Sequence, residues 1–168
     1  MLLANLHVTG DLAGLLLDYL REQGIDDPAL RRRLQPFAPN SRMTFQEWWD
    51  LLESIQQRLP ARPVGLELGL SIRPSHLGVL GYLTLSCDTV AEALQRFERY
   101  QRLLHDGDRA HPILQGEVVC MRWSSDFGPS TRLSDEVLVV GMLRFVRMMT
   151  GISDLAPARV RFTACRTW

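Results

Sequence analysis

The chain has 168 residues, nineteen acidic and nineteen basic, so its formal net charge is zero; 46% of it is hydrophobic. That length suits one domain, residues 1–168, with a single sizeable core. Charge balance argues against nucleic-acid binding by this segment alone, which needs a positive excess, and no apolar run reaches the roughly 20 residues that cross a bilayer.

All the basic residues are arginine and none is lysine, a bias that leaves bidentate carboxylate contacts open. The opening MLLANLHVTG lacks the basic start and long apolar run of a signal peptide, so a cytoplasmic location and no membrane partner are expected. Cys87, Cys120 and Cys165 show no metal-ligand spacing and are expected to be reduced and packed.

Taken in order, the first predicted helix carries Leu12, Leu15, Leu16, Tyr19 and Leu20, capped by Asp11 or Thr9 and stopped by Gly24. Asp27-Pro28 opens a second, with proline at its first position, and Pro36 closes it. Thr44 and Glu47 form a capping box. Behind it Phe45, Trp48, Trp49, Leu52, Ile55 and Leu59 make an apolar stripe that ends at Pro60 and Pro63. Gly65 to Ile72 is predicted helical, with Leu66, Leu70 and Ile72 inward and the glycines allowing close packing. Leu77 to Ser86 has a composition that allows a strand and a length that suits a short buried helix.

Thr89 and Glu92 form a second capping box. Val90, Ala93, Leu94, Phe97, Gln101 and Leu104 follow at helical spacing, with Gln101 the only polar member. Glu92–Arg96 and Glu98–Arg102 are i,i+4 pairs, each worth about 0.3–0.5 kcal/mol. Asp106-Gly107 is expected to end the helix, with glycine left-handed.

The order of these pieces carries a resemblance. Gly65 and Gly69, then Gly78 and Gly81-Tyr82, then Thr89 through Leu94, then Arg99 through Gly107 reproduce G-x-x-x-G, G-x-x-G-Y, T-x-x-E-A-L and R-Y-x-x-L-L-x-D-G. The segment resembles the N-terminal, arabinose-binding-like effector domain of AraC-type transcriptional regulators, over roughly Leu12 to Thr163. The resemblance sides with a helix at Leu77 to Ser86. It implies a small-molecule effector, self-association as a homodimer, and DNA binding only through two C-terminal helix-turn-helix units absent from this chain. On this view the chain is the regulatory part of a longer protein, ending at Trp168 on a strand edge.

After Gly107 the periodicity changes. His111 to Leu114, a Gln115-Gly116 turn and Glu117 to Ser124 predict a β-hairpin, with Val118, Cys120 and Arg122 alternating against Val119, Met121 and Trp123. Ser134 with Asp135 and Glu136 starts a last helix. Its buried face is Val137, Leu138, Gly141, Met142, Phe145 and Met149, and Gly151 is its stop. Arg159 to Thr163 alternates as a strand. The expected class is α+β: a helical N-terminal half, then a small antiparallel sheet in β-β-α-β order.

Few residues suggest chemistry. His105-Asp106-Gly107-Asp108-Arg109-Ala110-His111 has metal-ligand types, but a helix C-terminus explains them without a metal, so no metal or cofactor is expected. Neither Cys87 nor Cys120 has a histidine nearby in sequence, and no nucleophile elbow or phosphate loop occurs, so no enzymatic activity is expected. Arg31-Arg32-Arg33 reads as a solvated helix face. The pocket candidates are polar-tipped residues near apolar faces: Tyr82, Tyr100, Arg122, Trp123 and Arg144. An inward arginine would suit a carboxylate, such as an amino acid. The favoured function is thus an effector-sensing, dimerising regulatory domain, with a dimerisation-only module as the alternative.

Overall fold

The computed structural model describes residues 2–37 and 39–162. After a 3-10 turn at Leu3–Asn5, β1 (His7–Thr9) pairs antiparallel with β2 (Arg42–Thr44), with Val8 opposite Met43. Three residues are too few to leave an alternation in the sequence, so the reading of a helical N-terminal half does not include this ribbon. β1 also binds a later segment: Thr9 N donates to Leu104 O at 2.7 Å and Asp106 N to His7 O at 2.8 Å.

α1 (Leu12–Glu22) buries Leu12, Leu15, Leu16, Tyr19 and Leu20, as its periodicity requires, and Gly24 follows at φ +66°. The expected cap is absent. Asp11 is already helical (φ −57°, ψ −25°), whereas a capping residue is extended. Instead Thr9 Oγ1 donates to Asp11 Oδ2 at 2.7 Å. In α2 (Pro28–Leu34) the Asp27 carboxylate does accept from Leu30 N, at 2.9 Å. α3 (Phe45–Arg58) closes its capping box, with Glu47 N to Thr44 Oγ1 at 3.1 Å and Thr44 N to Glu47 Oε2 at 2.7 Å. Its face of Trp48, Leu51, Leu52 and Ile55 is buried in the core, with α4 and α7 packed against the helix.

α4 (Val64–Ser71) lies along α7 (Arg132–Thr150) with no side-chain layer between their glycines. A Cβ on Gly69 would stand 2.6 Å from Val140 Cβ, one on Gly65 would run into Glu136, and one on Gly141 would meet Ile72 at 3.1 Å. That contact sets the rotation of α4. With Val64, Leu68 and the glycines inward, Leu66 and Leu70, about 200° round the helix from Val64 and Leu68, turn out and are 40% and 47% exposed. Their expected inward placement is therefore corrected, while that of Ile72, 4% exposed, holds.

A 3-10 turn at Pro74–Leu77 leads into α5 (Gly78–Leu85), a helix as the resemblance implies. Only one side is covered: Leu80, Gly81 and Thr84 are buried, while Val79 is exposed. In α6 (Val90–Tyr100) Thr89 Oγ1 accepts from Glu92 N at 3.1 Å, but Glu92 returns to Asp88 N at 3.3 Å, so that box closes on one side only. Glu92–Arg96 forms at 2.6 Å. Glu98–Arg102 does not: the chain tightens to 3-10 at Gln101–Leu103, which breaks the i,i+4 spacing. Glu98 meets His111 at 2.8 Å, and Arg102 donates to the carbonyls of Asp106 and Gly107. Gly107 is not left-handed. It is glycine because a Cβ would stand 2.8 Å from Leu3 and 3.1 Å from the Phe45 ring.

Gln101, only 1% exposed, explains its own polarity. Its amide acts as a strand edge for Ala110, with Nε2 donating to Ala110 O at 2.9 Å and Oε1 accepting from Ala110 N at 2.7 Å. From there β3 (Ala110–Gln115) and β4 (Val118–Trp123) form the expected hairpin, Gln115 opposite Val118, with Gly116 at φ +63° in the turn.

α7 starts one turn earlier than expected. Thr131 caps it, and Ser134 Oγ instead accepts from Trp48 Nε1 at 3.1 Å. Leu133, Val137, Gly141 and Phe145 are buried, while Leu138, Met142 and Met149 of the expected face are only partly covered, and Gly151 ends the helix at φ +70°. Over 159–162 no strand forms, and Val160 and Phe162 are 43% and 50% exposed. Alternation makes a strand only beside a partner edge, and none lies there among the described residues; Thr163 falls outside them. The class is α+β with two small antiparallel sheets, and the final β of the expected order is not formed by the described residues. No described helix is long and apolar enough to cross a membrane.

Candidate functional site

The five predicted site residues do not come together. Tyr82 projects from α5, 59% exposed. Tyr100, at the end of α6, is exposed, with the Arg99 guanidinium 5.3 Å from its ring centroid. Arg122 is exposed opposite His111, and Trp123 is half-buried at the root of the hairpin opposite Ala110. Arg144 alone lines a depression, of about 360 Å³, together with Leu70, Arg147, Met148, Gly151 and Ser153.

Helical spacing builds this site. Arg144 and Arg147 are i,i+3 on α7 and so share a face. Arg144 Nε donates to Ile72 O, the cap of α4, at 2.8 Å, and Arg147 Nε donates to Leu155 O at 2.8 Å. Left-handed Gly151 turns the chain back so that Leu155 reaches that bond. Neither guanidinium lies within 4.0 Å of a carboxylate among the described residues, so their terminal nitrogens have no anionic partner there. Sequence reasoning selected Arg144 and missed Arg147; the signal available was its position one turn on, just before the glycine stop.

A second depression, about 180 Å³, opens between β2 and the start of α5. Its charged groups are already satisfied. Arg42 pairs with Asp106 at 2.8 Å, and Asp11 accepts from Thr9 and, at 3.3 Å, from Asn40 N. Asp11 Oδ2 also stands where a Cβ on Gly78 would be, 2.5 Å away. This is a junction held together by its own polar groups.

The other constellations resolve into structural roles. His105 is buried edge-on to Phe45, its Nδ1 without a partner, while His111 turns out to Glu98. Asp108 accepts from Ser124 Oγ at 3.1 Å and Asp126 N at 2.7 Å. No group of three His, Cys, Asp or Glu converges among the described residues. Burial, then the Arg102 charge with Arg42 adding to it, hold the His105 pKa down to about 4, against the opposing pull of Asp106 and Asp108.

His76, also buried, accepts from Arg73 N on Nδ1 at 3.1 Å, so Nε2 carries the proton shared with Asp18 at 3.1 Å. The pair pins the 3-10 turn to α1. Tyr19 donates to Glu67, which Arg62 grips at 3.0 Å; burial first, then Glu67, push the Tyr19 pKa far above its usual range. Cys87 is half-buried, but Cys120 is exposed on the hairpin, against the expectation of packing; Cys165 lies outside the described residues. Arg31, Arg32 and Arg33 form the solvated face expected, meeting Asp26, Pro28 O and Ser54.

Residues 18–166 match the model of the N-terminal arabinose-binding domain of AraC transcription regulators. The ornithine utilization regulator of Pseudomonas aeruginosa is 34% identical over 97 residues, 55% of this chain and 29% of the relative. The chain thus spans well under two thirds of that relative's length.

Proposed function

Because the chain belongs to the N-terminal arabinose-binding domain family of AraC transcription regulators, we propose that it senses an amino acid or another carboxylate and controls DNA binding by a separate C-terminal domain. The family is a regulator's domain rather than a class of enzymes. The observation that carries the ligand class is Arg144, the one predicted site residue that lines a depression, bonded to the cap of α4 while its terminal nitrogens have no carboxylate partner among the described residues. An anion there touches α7, the end of α4 and the segment after α7 at once. It would favour one arrangement of those three elements, and a regulator needs such differential affinity for two states. The relative's name concerns ornithine utilization, so amino acids belong in the screen beside other carboxylates.

The test is a thermal-unfolding screen against amino acids, organic acids, sugars and fatty acids. A ligand at 100 times its Kd stabilises by about 2.7 kcal/mol, a Tm rise of roughly 5–10 °C at this size. A selective, dose-dependent rise supports the sensor.

A second reading, an association-only module that forms homodimers, draws on the hairpin end, where Leu114, Val118 and Val119 are 73%, 59% and 51% exposed. It predicts a dimer in sedimentation that Val119→Glu converts to monomer, together with no hit in the screen.

A further inference from the structure

We infer that the depression at the end of α7 is a site for an aliphatic carboxylate held by Arg144 and Arg147 together; this rests on the sensor reading and narrows the ligand class. Each guanidinium has one nitrogen committed to a backbone carbonyl of a different segment, Ile72 O and Leu155 O, both at 2.8 Å. Those bonds fix the planes of two neighbouring forks, and a preoriented fork is what bidentate recognition of a carboxylate needs. Some arginines of this chain spend their forks on acids, as Arg58 does on Asp27, Arg62 on Glu67 and Arg73 on Glu22, while others, Arg99, Arg109 and Arg122 among them, pair with no acid among the described residues. Here none is within reach among the described residues.

The flanks specify the rest of the molecule. Leu70 and Met148, 47% and 43% exposed, border the arginines and offer apolar surface to an alkyl chain. The lining contains no Asp or Glu, so the second ammonium of a basic amino acid would lack a counter-charge. Inorganic phosphate would satisfy the forks but leave both apolar side chains wet. The depression is open to solvent, and its volume of about 360 Å³ leaves room for a small organic acid lying across it. The same geometry gives Arg147 a second role, because a ligand on its terminal nitrogens fixes the side chain that holds Leu155 and so tightens the segment leaving α7.

The 168-residue chain is titrated calorimetrically with hexanoate, inorganic phosphate and L-ornithine, beside Met148→Glu and the double variant Arg144→Gln/Arg147→Gln. Hexanoate is expected to bind at least about tenfold tighter than either of the others. Met148→Glu, a change at an exposed position that spares the fold, should weaken it by about tenfold or more by placing a carboxylate against the forks. The double variant should lose it while keeping its circular dichroism, and hydrogen exchange at residues 152–156 should slow only when hexanoate is bound to the unaltered chain. No binding at about 10 mM hexanoate, equal binding by Met148→Glu, or tighter binding of ornithine would each overturn the assignment. If the broader thermal screen finds a ligand whose affinity ignores Met148→Glu, the sensor reading stands and this site does not.

Discussion

The slab of α1, α3, α4 and α7 and the arm of α6 with its hairpin are held by different forces. In the slab, Leu15, Leu16, Leu52, Ile55, Val64 and Leu68 are each wholly buried, and a fully buried side chain of this size contributes about 1.5–3 kcal/mol. In the arm, α6 fully buries only Ala93, and no residue from Leu114 to Cys120 escapes exposure. What fastens the arm is largely polar: Gln101 on Ala110, Asp108 on Ser124 and Asp126, Arg96 on Leu83 O at 3.2 Å, and the backbone bonds of Leu104 and Asp106 to β1. Apolar packing tolerates small shifts in direction, but a hydrogen bond does not. The arm therefore gains a defined position from few atoms, and each of those atoms matters more.

Four measurements test this contrast, all as changes in unfolding free energy by chemical denaturation. Leu52→Ala, in the slab, should cost about 3–4 kcal/mol through lost transfer energy and the cavity left behind. Gln101→Leu, in the arm, should cost about 2–3 kcal/mol although it adds apolar surface, because the Ala110 N–H and C=O lose their partners; a neutral result would show that the arm is held by packing after all. Third is pH. The folded His105 ring has a pKa near 4 while the unfolded ring sits near 6.5, so between those values the unfolded chain binds the extra proton. Stability from this group is full above pH 6.5, falls by about 2 kcal/mol between pH 7 and 5, and levels off below pH 4; His105→Gln should flatten that part of the profile. The smallest effect belongs to the hairpin end, where Leu114→Thr should change monomer stability by less than about 0.5 kcal/mol.

The residues that misled the sequence reading have a common physical cause. Leu66 and Leu70 look inward by hydropathy, yet the rotation of α4 is set by what its glycines meet on α7. Gly107 sits where a helix stop belongs, yet its constraint is the Phe45 ring, far earlier in the chain. Arg159 to Phe162 alternates well and forms nothing, because a strand is a property of two segments. At the candidate site Arg144 was legible as a polar tip on a helix, but its partnership with Arg147 depends on Ile72 O and Leu155 O, which no spacing reveals.

By itself the sequence determined the local features: the caps at Asp27 and Thr44, the stripes of α1, α3 and α7, the hairpin turn at Gly116 and the motif order that marks the family. These arise from interactions within a few residues, where propensity, capping and periodicity decide the outcome. Only the tertiary structure decided the β1–β2 ribbon, the phase of α4, the docking of Gln101 on Ala110 and the two-arginine depression. Each of those joins atoms distant in the chain, so its free energy appears only once both partners are in place.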